Sequence, residues 1–185
     1  MDSQKQTEAH SQAPGRAVFL DRDGVINRMV YDAEFGLVDS PANPEQLVVF
    51  EGASEAIAAF NNLGFCVIVV SNQPGIAKGK FSAALLEAMT DKMVTSLRAA
   101  GGSVDDIYYC LHHPQSSLPE YGIKCDCRKP RPGLLLQAAK KWNIDLRQSY
   151  MVVYWFSVNW NFPLFFLVYK NGGKYHEETT CQPPT

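Results

Sequence analysis

The sequence has no surplus of basic charge. Its 185 residues carry 17 Lys and Arg against 19 Asp and Glu, for a formal net charge of −2. That balance gives nucleic acid no phosphate-neutralising face, and no acidic block is present to act as a solvating tail. The segment Met1 to Arg16 lacks an apolar core of the signal-peptide kind. It reads as a flexible leader of 16 residues, and the expected compartment is the cytoplasm. Cysteine is scarce, at five residues. In that compartment thiols serve as free groups or metal ligands rather than as a disulfide framework. No internal repeat is visible. Charge is also missing from Met151 to Tyr169, a run of 19 residues, close to the length of a membrane span. Asn159, Asn161 and Pro163 in its middle, with β-branched and aromatic residues throughout, argue against a membrane helix, and none is expected. The length predicts one domain with a substantial core, working as a monomer.

What is present alternates between strand and helix signals, which predicts a mostly parallel sheet covered on both faces. Ala17–Leu20 and the fully apolar Cys66–Val70 read as buried strands, with Ile107–Cys110 and Tyr150–Val153 as a third and fourth. Leu47–Phe50 is a further short apolar run. Ala53, Ile57 and Phe60 repeat at helical spacing before a stop at Gly64. Ser82 caps a helix whose stripe is Leu85, Met89, Met93 and Leu97, closed by Gly101-Gly102. Gly133 to Trp142 reads as another helix. Two long segments, Asn27 to Pro44 and His112 to Pro132, break the rhythm as loops, and loops of that length in a compact domain are usually functional or disordered.

The chemistry gathers at strand ends. Asp21-Arg22-Asp23-Gly24 follows the first strand, at the carboxyl end where open α/β sheets place their reactive groups. Two carboxylates so close repel unless a cation lies between them, and magnesium is the usual answer. Ser71-Asn72-Gln73 follows the second strand, with hydroxyl and amide groups able to bind phosphate oxygens. Arg128-Lys129-Pro130-Arg131-Pro132-Gly133 precedes a helix, where cations and backbone amides together attract an anion. Cys110-x-His112 and, after twelve residues, Cys125-x-Cys127 make two tight pairs of soft or borderline ligands. That set suits a closed, structural, tetrahedral zinc site, worth about 10–16 kcal/mol of apparent binding energy to a fold. His113 competes with His112 by spacing alone, and Cys66, inside an apolar strand, is expected in the core. Taken one at a time these features have plainer readings, as a solvated turn, a helix cap, surface charge or buried thiols.

Taken together, FLDRDGVIN, VVSNQPGIAKGKF, YYCLHHP and KCDCRKPRPG resemble, in order and spacing, the motifs of the HAD superfamily of phosphotransferases. Within it the likeness is to the D-glycero-D-manno-heptose 1,7-bisphosphate phosphatase and histidinol-phosphatase group, over about Ala17 to Val152. The resemblance implies a Rossmann-like α/β fold: a mostly parallel sheet with helices on both faces, plus a zinc-binding loop. It divides the chain into a phosphatase domain over 17–153, with its zinc loop at 110–127, and a tail at 154–185. Asp21 would be the nucleophile that forms an aspartyl-phosphate, and Asp23 the acid and base. Asp21 and Asp23, the latter through its carbonyl, would hold Mg²⁺. Asn27, Ser71, Asn72 and Gln73 would bind the substrate, Lys129 would neutralise the phosphoryl charge and Arg128 would reach the substrate. Cys110, His112, Cys125 and Cys127 would hold zinc. The implied substrate is a small phosphorylated metabolite, the 7-phosphate of a heptose bisphosphate, with histidinol phosphate as the alternative.

After Val152 the chain leaves that pattern. The family continues with Gly-Asp, the Asp a magnesium ligand; here Val153 and Tyr154 stand there, and no acidic residue follows until Glu177. Nine of the 32 residues from Tyr154 to Thr185 are aromatic, against twelve in the 153 before them. So abrupt a shift reads as a reading-frame change or a mis-joined end. It predicts an incomplete C-terminal part and an impaired enzyme, or a phosphate binder without turnover.

Overall fold

Short apolar runs set the architecture. The structure, a computed structural model, describes residues 15–33, 36–154 and 166–169. In chain order it runs β1 (Ala17–Leu20), β2 (Val30–Asp32), β3 (Leu37–Asp39), α1 (Ala53–Asn62), β4 (Cys66–Asn72), α2 (Ala83–Ala99), β5 (Asp106–Cys110), α3 (Gly133–Trp142), β6 (Tyr150–Tyr154) and β7 (Phe166–Tyr169). Five strands make one sheet in the order β5-β4-β1-β6-β7. β1 pairs in parallel with β4 and β6, and β4 with β5, while β7 lies antiparallel to β6. A parallel sheet is stable only with both faces covered, which is why its strands read as unbroken apolar runs.

Side chains alternate along each strand and so feed two cores. Val18, Leu20, Val67 and Val69 pack with Ile57 of α1 and with Leu86, Met89, Met93 and Leu97 of α2. Ala17, Phe19, Ile68 and Val70 pack on the other face with Leu134 and Ala138 of α3. Helices therefore lie on both faces, as expected. The buried stripe of α2 begins at Leu86, not Leu85, which is exposed; the spacing 86, 89, 93, 97 keeps the i+3/i+4 rhythm of one helix face. Ser82 caps the helix, its hydroxyl accepting from the Leu85 amide at 3.3 Å.

Three boundaries differ from the sequence reading. Gly15 and Arg16, expected in the leader, contact the main body: Gly15 N donates to Asn143 O, and Arg16 reaches Leu63 O and covers the Phe65 ring. Within Asn27 to Pro44, β2 and β3 form an antiparallel hairpin rather than a plain loop, tied to the main body by an ion pair between Asp39 and Lys80. In the tail, β7 adds an edge strand, Tyr154 pairing with Phe166 and Met151 with Tyr169. The run 151–169 thus begins and ends in strands; its middle, 155–165, lies outside the described residues, as do 1–14 and 170–185. Among the described residues no helix is long and apolar enough to cross a membrane.

Because β1 is central and the chain moves from it to β4 on one side and β6 on the other, a crevice opens at its carboxyl end. The expected functional residues converge there.

Candidate active site and metal centre

Asp21 is the first residue beyond β1, its amide donating to Val152 O of β6 at 2.9 Å. The chain then wraps around the Arg22 carbonyl, which accepts from the amides of Val25, Ile26 and Asn27. Gly24 sits at φ 80 in this turn, a conformation that strains any residue with a Cβ. The wrap sends the two carboxylates to different partners. Asp21 Oδ1 accepts from Ser71 Oγ at 2.7 Å and from the Arg22 amide at 2.8 Å. Its Oδ2 lies 2.7 Å from Lys129 Nζ, which also donates to Val70 O at 2.9 Å. Asp21 and Lys129 keep 18% of their side-chain surface open, enough to meet a ligand.

Asp23 is enclosed instead. Its carboxylate takes hydrogen bonds from Arg22 Nε at 3.0 Å and Nη2 at 3.2 Å, Asn27 Nδ2 at 2.9 Å and Gln73 Nε2 at 2.6 Å. Burial pushes this carboxyl up, but the Arg22 charge and the three donors outweigh it and hold Asp23 below the usual carboxylate range. Gln73 Nε2 also reaches Ser71 Oγ at 3.2 Å. One hydrogen-bonded chain therefore links Asp23, Gln73, Ser71 and Asp21.

Asn27 and Gln73, expected to bind substrate, are fully buried behind Asp23. Two protein cations accompany the carboxylates: Arg22 pairs with Asp23 and Lys129 with Asp21. Arg22 is itself fully buried, its guanidinium 5.7 Å over the Tyr109 ring. The sequence reading missed it, although a cation between two aspartates at the end of an apolar strand was its signal. Asn72 is partly buried and engaged: its Oδ1 accepts from Lys129 N at 3.0 Å and its Nδ2 donates to Lys129 O at 3.2 Å. Arg128 is tied to His112 O at 3.1 Å. The first amide of α3, at Gly133, donates to Asp126 O, so it is not offered to an anion.

For magnesium the donor set is incomplete. Asp21 is available beside the Asp23 main chain, but Val153 and Tyr154 end β6 where a second carboxylate is expected. Among the described residues only one group brings together three or more metal-ligating side chains.

That group is Cys110, His112, Cys125 and Cys127, whose ligand atoms all lie within 4.8 Å of one another. Thiolates about 2.3 Å from a tetrahedral zinc stand roughly 3.7 Å apart. Cys110 Sγ is 3.7 Å from both Cys125 Sγ and His112 Nδ1, 3.3 Å from Cys127 Sγ, and His112 Nδ1 is 3.2 Å from Cys127 Sγ. The set fits zinc with no position left for water. Burial pushes the Cys110 thiol up, and burial with the neighbouring thiols pushes Cys127 up to about 12. Burial also raises Cys125, but hydrogen bonds from Cys127, the Arg128 backbone, Cys110 and His112 outweigh it and bring that thiol down to about 7. His113 stands apart, its Nδ1 accepting from the Gln115 amide. Cys66 is half-buried at the start of β4, its thiol pushed up to about 12 by burial and by Asp105.

No family model matches the chain. Curated relatives do. A D-glycero-beta-D-manno-heptose-1,7-bisphosphate 7-phosphatase of Escherichia coli K12 is 45% identical over 136 residues, covering 74% of this chain and 67% of that protein. The protein of the same name from Vibrio cholerae is 42% identical, covering 74% and 69%. Among solved structures, a HAD-like phosphatase from Mesorhizobium loti superposes with a TM-score of 0.66 at 35% identity, over 76% of this chain and 63% of that one. The D,D-heptose 1,7-bisphosphate phosphatase of B. bronchiseptica, solved with magnesium and phosphate, gives 0.57 at 35% identity, over 71% and 65%. The chain thus spans about two thirds of the length of the proteins it matches. On that identity and coverage, it belongs to the HAD-like heptose 1,7-bisphosphate phosphatase family.

Proposed function

We propose that this chain is a phosphoric monoester hydrolase acting on a small phosphorylated sugar, the 7-phosphate of D-glycero-D-manno-heptose 1,7-bisphosphate, with activity reduced because Val153-Tyr154 replaces the Gly-Asp expected after Val152. One observation carries the reading: the Asp21 carboxylate at the β1 rim lies in hydrogen-bond contact with both Ser71 Oγ and Lys129 Nζ. On this reading Asp21 supplies the attacking oxygen, Ser71 a neutral phosphate-binding group and Lys129 a cation beside it.

An Asp21 oxygen attacks phosphorus, an O–P bond forms, and the bond to the sugar oxygen breaks as that oxygen takes a proton from Asp23. Water then gives its proton to Asp23 and attacks phosphorus, breaking the bond to Asp21 and releasing inorganic phosphate. Ser71 and Lys129 hold the phosphoryl oxygens, Lys129 balancing their charge without rearrangement. Arg128 reaches the substrate beyond them. For Asp23 to carry a proton, its grip on Arg22 must loosen, since that ion pair favours the charged form. Asp21 and the Asp23 carbonyl are our choice for Mg²⁺, which neutralises charge between carboxylate and phosphate when bound. Zinc at the four Cys and His ligands is structural. We place the protein in the cytoplasm, as a monomer acting on a small metabolite.

The test is phosphate release from the heptose bisphosphate with Mg²⁺, comparing the chain with Asp21→Asn. Loss of at least about a thousandfold in the variant supports the proposal. A beryllium fluoride or radiolabelled phosphate adduct that never forms on Asp21 overturns it. The second reading, a phosphate binder without turnover, draws on Tyr154 standing in place of an acidic residue. Its signature is thermal stabilisation by phosphate with no product.

A further inference from the structure

We infer that Asn72 is a positioning residue for Lys129 rather than a phosphate ligand; the inference rests on the reading of Lys129 as the counter-charge to the phosphoryl group. Asn72 is the last residue of β4. Its amide grips both sides of one residue, accepting from Lys129 N at 3.0 Å and donating to Lys129 O at 3.2 Å. Two bonds to a single residue fix both its place and its orientation on the strand end. The side chain then runs back along β4, and Nζ closes on Val70 O and Asp21 Oδ2. Lys129 is held at its backbone and at its tip.

The surroundings explain why such a grip is needed. Residues 111–132 contain no helix or strand. The other bonds near Lys129 stay within that segment or run to its edge: Arg131 N to Arg128 O, Arg131 Nη1 to Cys125 O, Arg128 Nη1 to His112 O, and Gly133 N to Asp126 O. They make the loop a unit but do not register it on the sheet. Asn72 does, and its partner across the sheet is Cys110, a ligand of the four-member cluster. The loop is thus anchored on two neighbouring strand ends, by an amide on β4 and by a thiol on β5. A short amide suits the first anchor because it offers a donor and an acceptor at once.

The decisive measurement is made on ligand-free protein, so it stands apart from turnover. Trace labelling of lysines with acetic anhydride, read residue by residue by mass spectrometry, reports how firmly Lys129 is held. Asn72→Ala should raise Lys129 labelling about tenfold, the worth of two lost hydrogen bonds, with exposed Lys140 unchanged as a control for folding. Asn72→Asp keeps the acceptor but loses the donor, and should give a smaller rise; it serves if the alanine variant does not fold. Unchanged Lys129 labelling in either folded variant overturns the inference, because a pure phosphate ligand has no hold on Lys129 in the absence of phosphate. With the heptose bisphosphate, a positioning role predicts that kcat falls while KM stays within about twofold. A KM rise at unchanged kcat overturns it. If the parent chain shows no turnover at all, the proposed function fails while the labelling result still decides the role of Asn72.

Discussion

Asp21 and Asp23 stand two positions apart yet live in different electrostatic worlds. Asp21 faces the crevice with Lys129; Asp23 is enclosed with the fully buried Arg22. Removing one member of a buried ion pair leaves an uncompensated charge, at roughly 3–5 kcal/mol. Arg22→Met should therefore lower the unfolding free energy, measured by urea denaturation, by an amount in that range, and a change below about 1 kcal/mol would mean that Asp23 finds water or another donor. A second residue-scale expectation concerns acid. Burial pushes the Asp106 carboxyl up, but hydrogen bonds from Lys141, Trp142 and the Ile107 amide bring it down to about 2, from 3.8. The folded state then binds fewer protons than the unfolded one. The resulting stability is present in full above the ordinary carboxylate range and is lost as pH falls from about 4 toward about 2. Asp106→Asn should flatten acid unfolding in that window, as followed by circular dichroism. The ammonium of Lys141 is 61% exposed, so salt should weaken the effect only in part, the neutral Trp142 bond persisting.

At the scale of elements, the junction between the metal loop and α3 is the tightest feature. A Cβ on Gly133 would lie 2.4 Å from Asp126 O and 2.9 Å from Cys127 N, both backbone atoms that cannot swing aside. Gly133→Ala should displace Cys127 from the ligand cluster and speed zinc loss to a chelator by about tenfold or more, measured with a zinc-responsive dye. A rate equal to the parent's would show that the loop shifts without cost to the site. Elements differed in how legible they were. β1 and β4 were readable because strands buried on both faces leave unbroken apolar runs. The hairpin β2–β3 was not: Val30-Tyr31-Asp32 and Leu37-Val38-Asp39 are three residues each, too short to show a period, and Tyr31, Leu37 and Val38 are exposed. β7 was hidden inside a long apolar run, where period cannot separate strand from helix. The cysteine and histidine cluster was legible from spacing alone, whereas the clasp of Asn72 on Lys129 joins residues 57 positions apart, beyond any local pattern.

For the molecule as a whole, function turns on how the family body meets its unusual ending. Matches to relatives cover 74% of the chain, and β6 ends in Tyr154. If the missing carboxylate limits magnesium binding, Tyr154→Asp with Val153→Gly should raise kcat/KM at low Mg²⁺ by about tenfold or more and lower the Mg²⁺ concentration giving half-maximal rate. Equal rates in parent and double variant would show that the second carboxylate is dispensable here. Asp21, Asp23, Lys129 and the cysteine and histidine cluster could be singled out in the sequence because each lies at the end of a readable strand, just before a helix or in a tight spacing. Arg22, Asn27 and Gln73 as the enclosure of Asp23 were not, because their role depends on burial that only the assembled sheet creates.

The amide of Asp21 donates to the carbonyl of Val152, two residues before the end of β6. Asp21 is therefore fastened by its own main chain to the last stretch that follows the family. Any loosening of β6 against β1 is passed to Asp21 through this bond. Deuterium uptake at that one amide is consequently a direct gauge of how firmly β6 holds it.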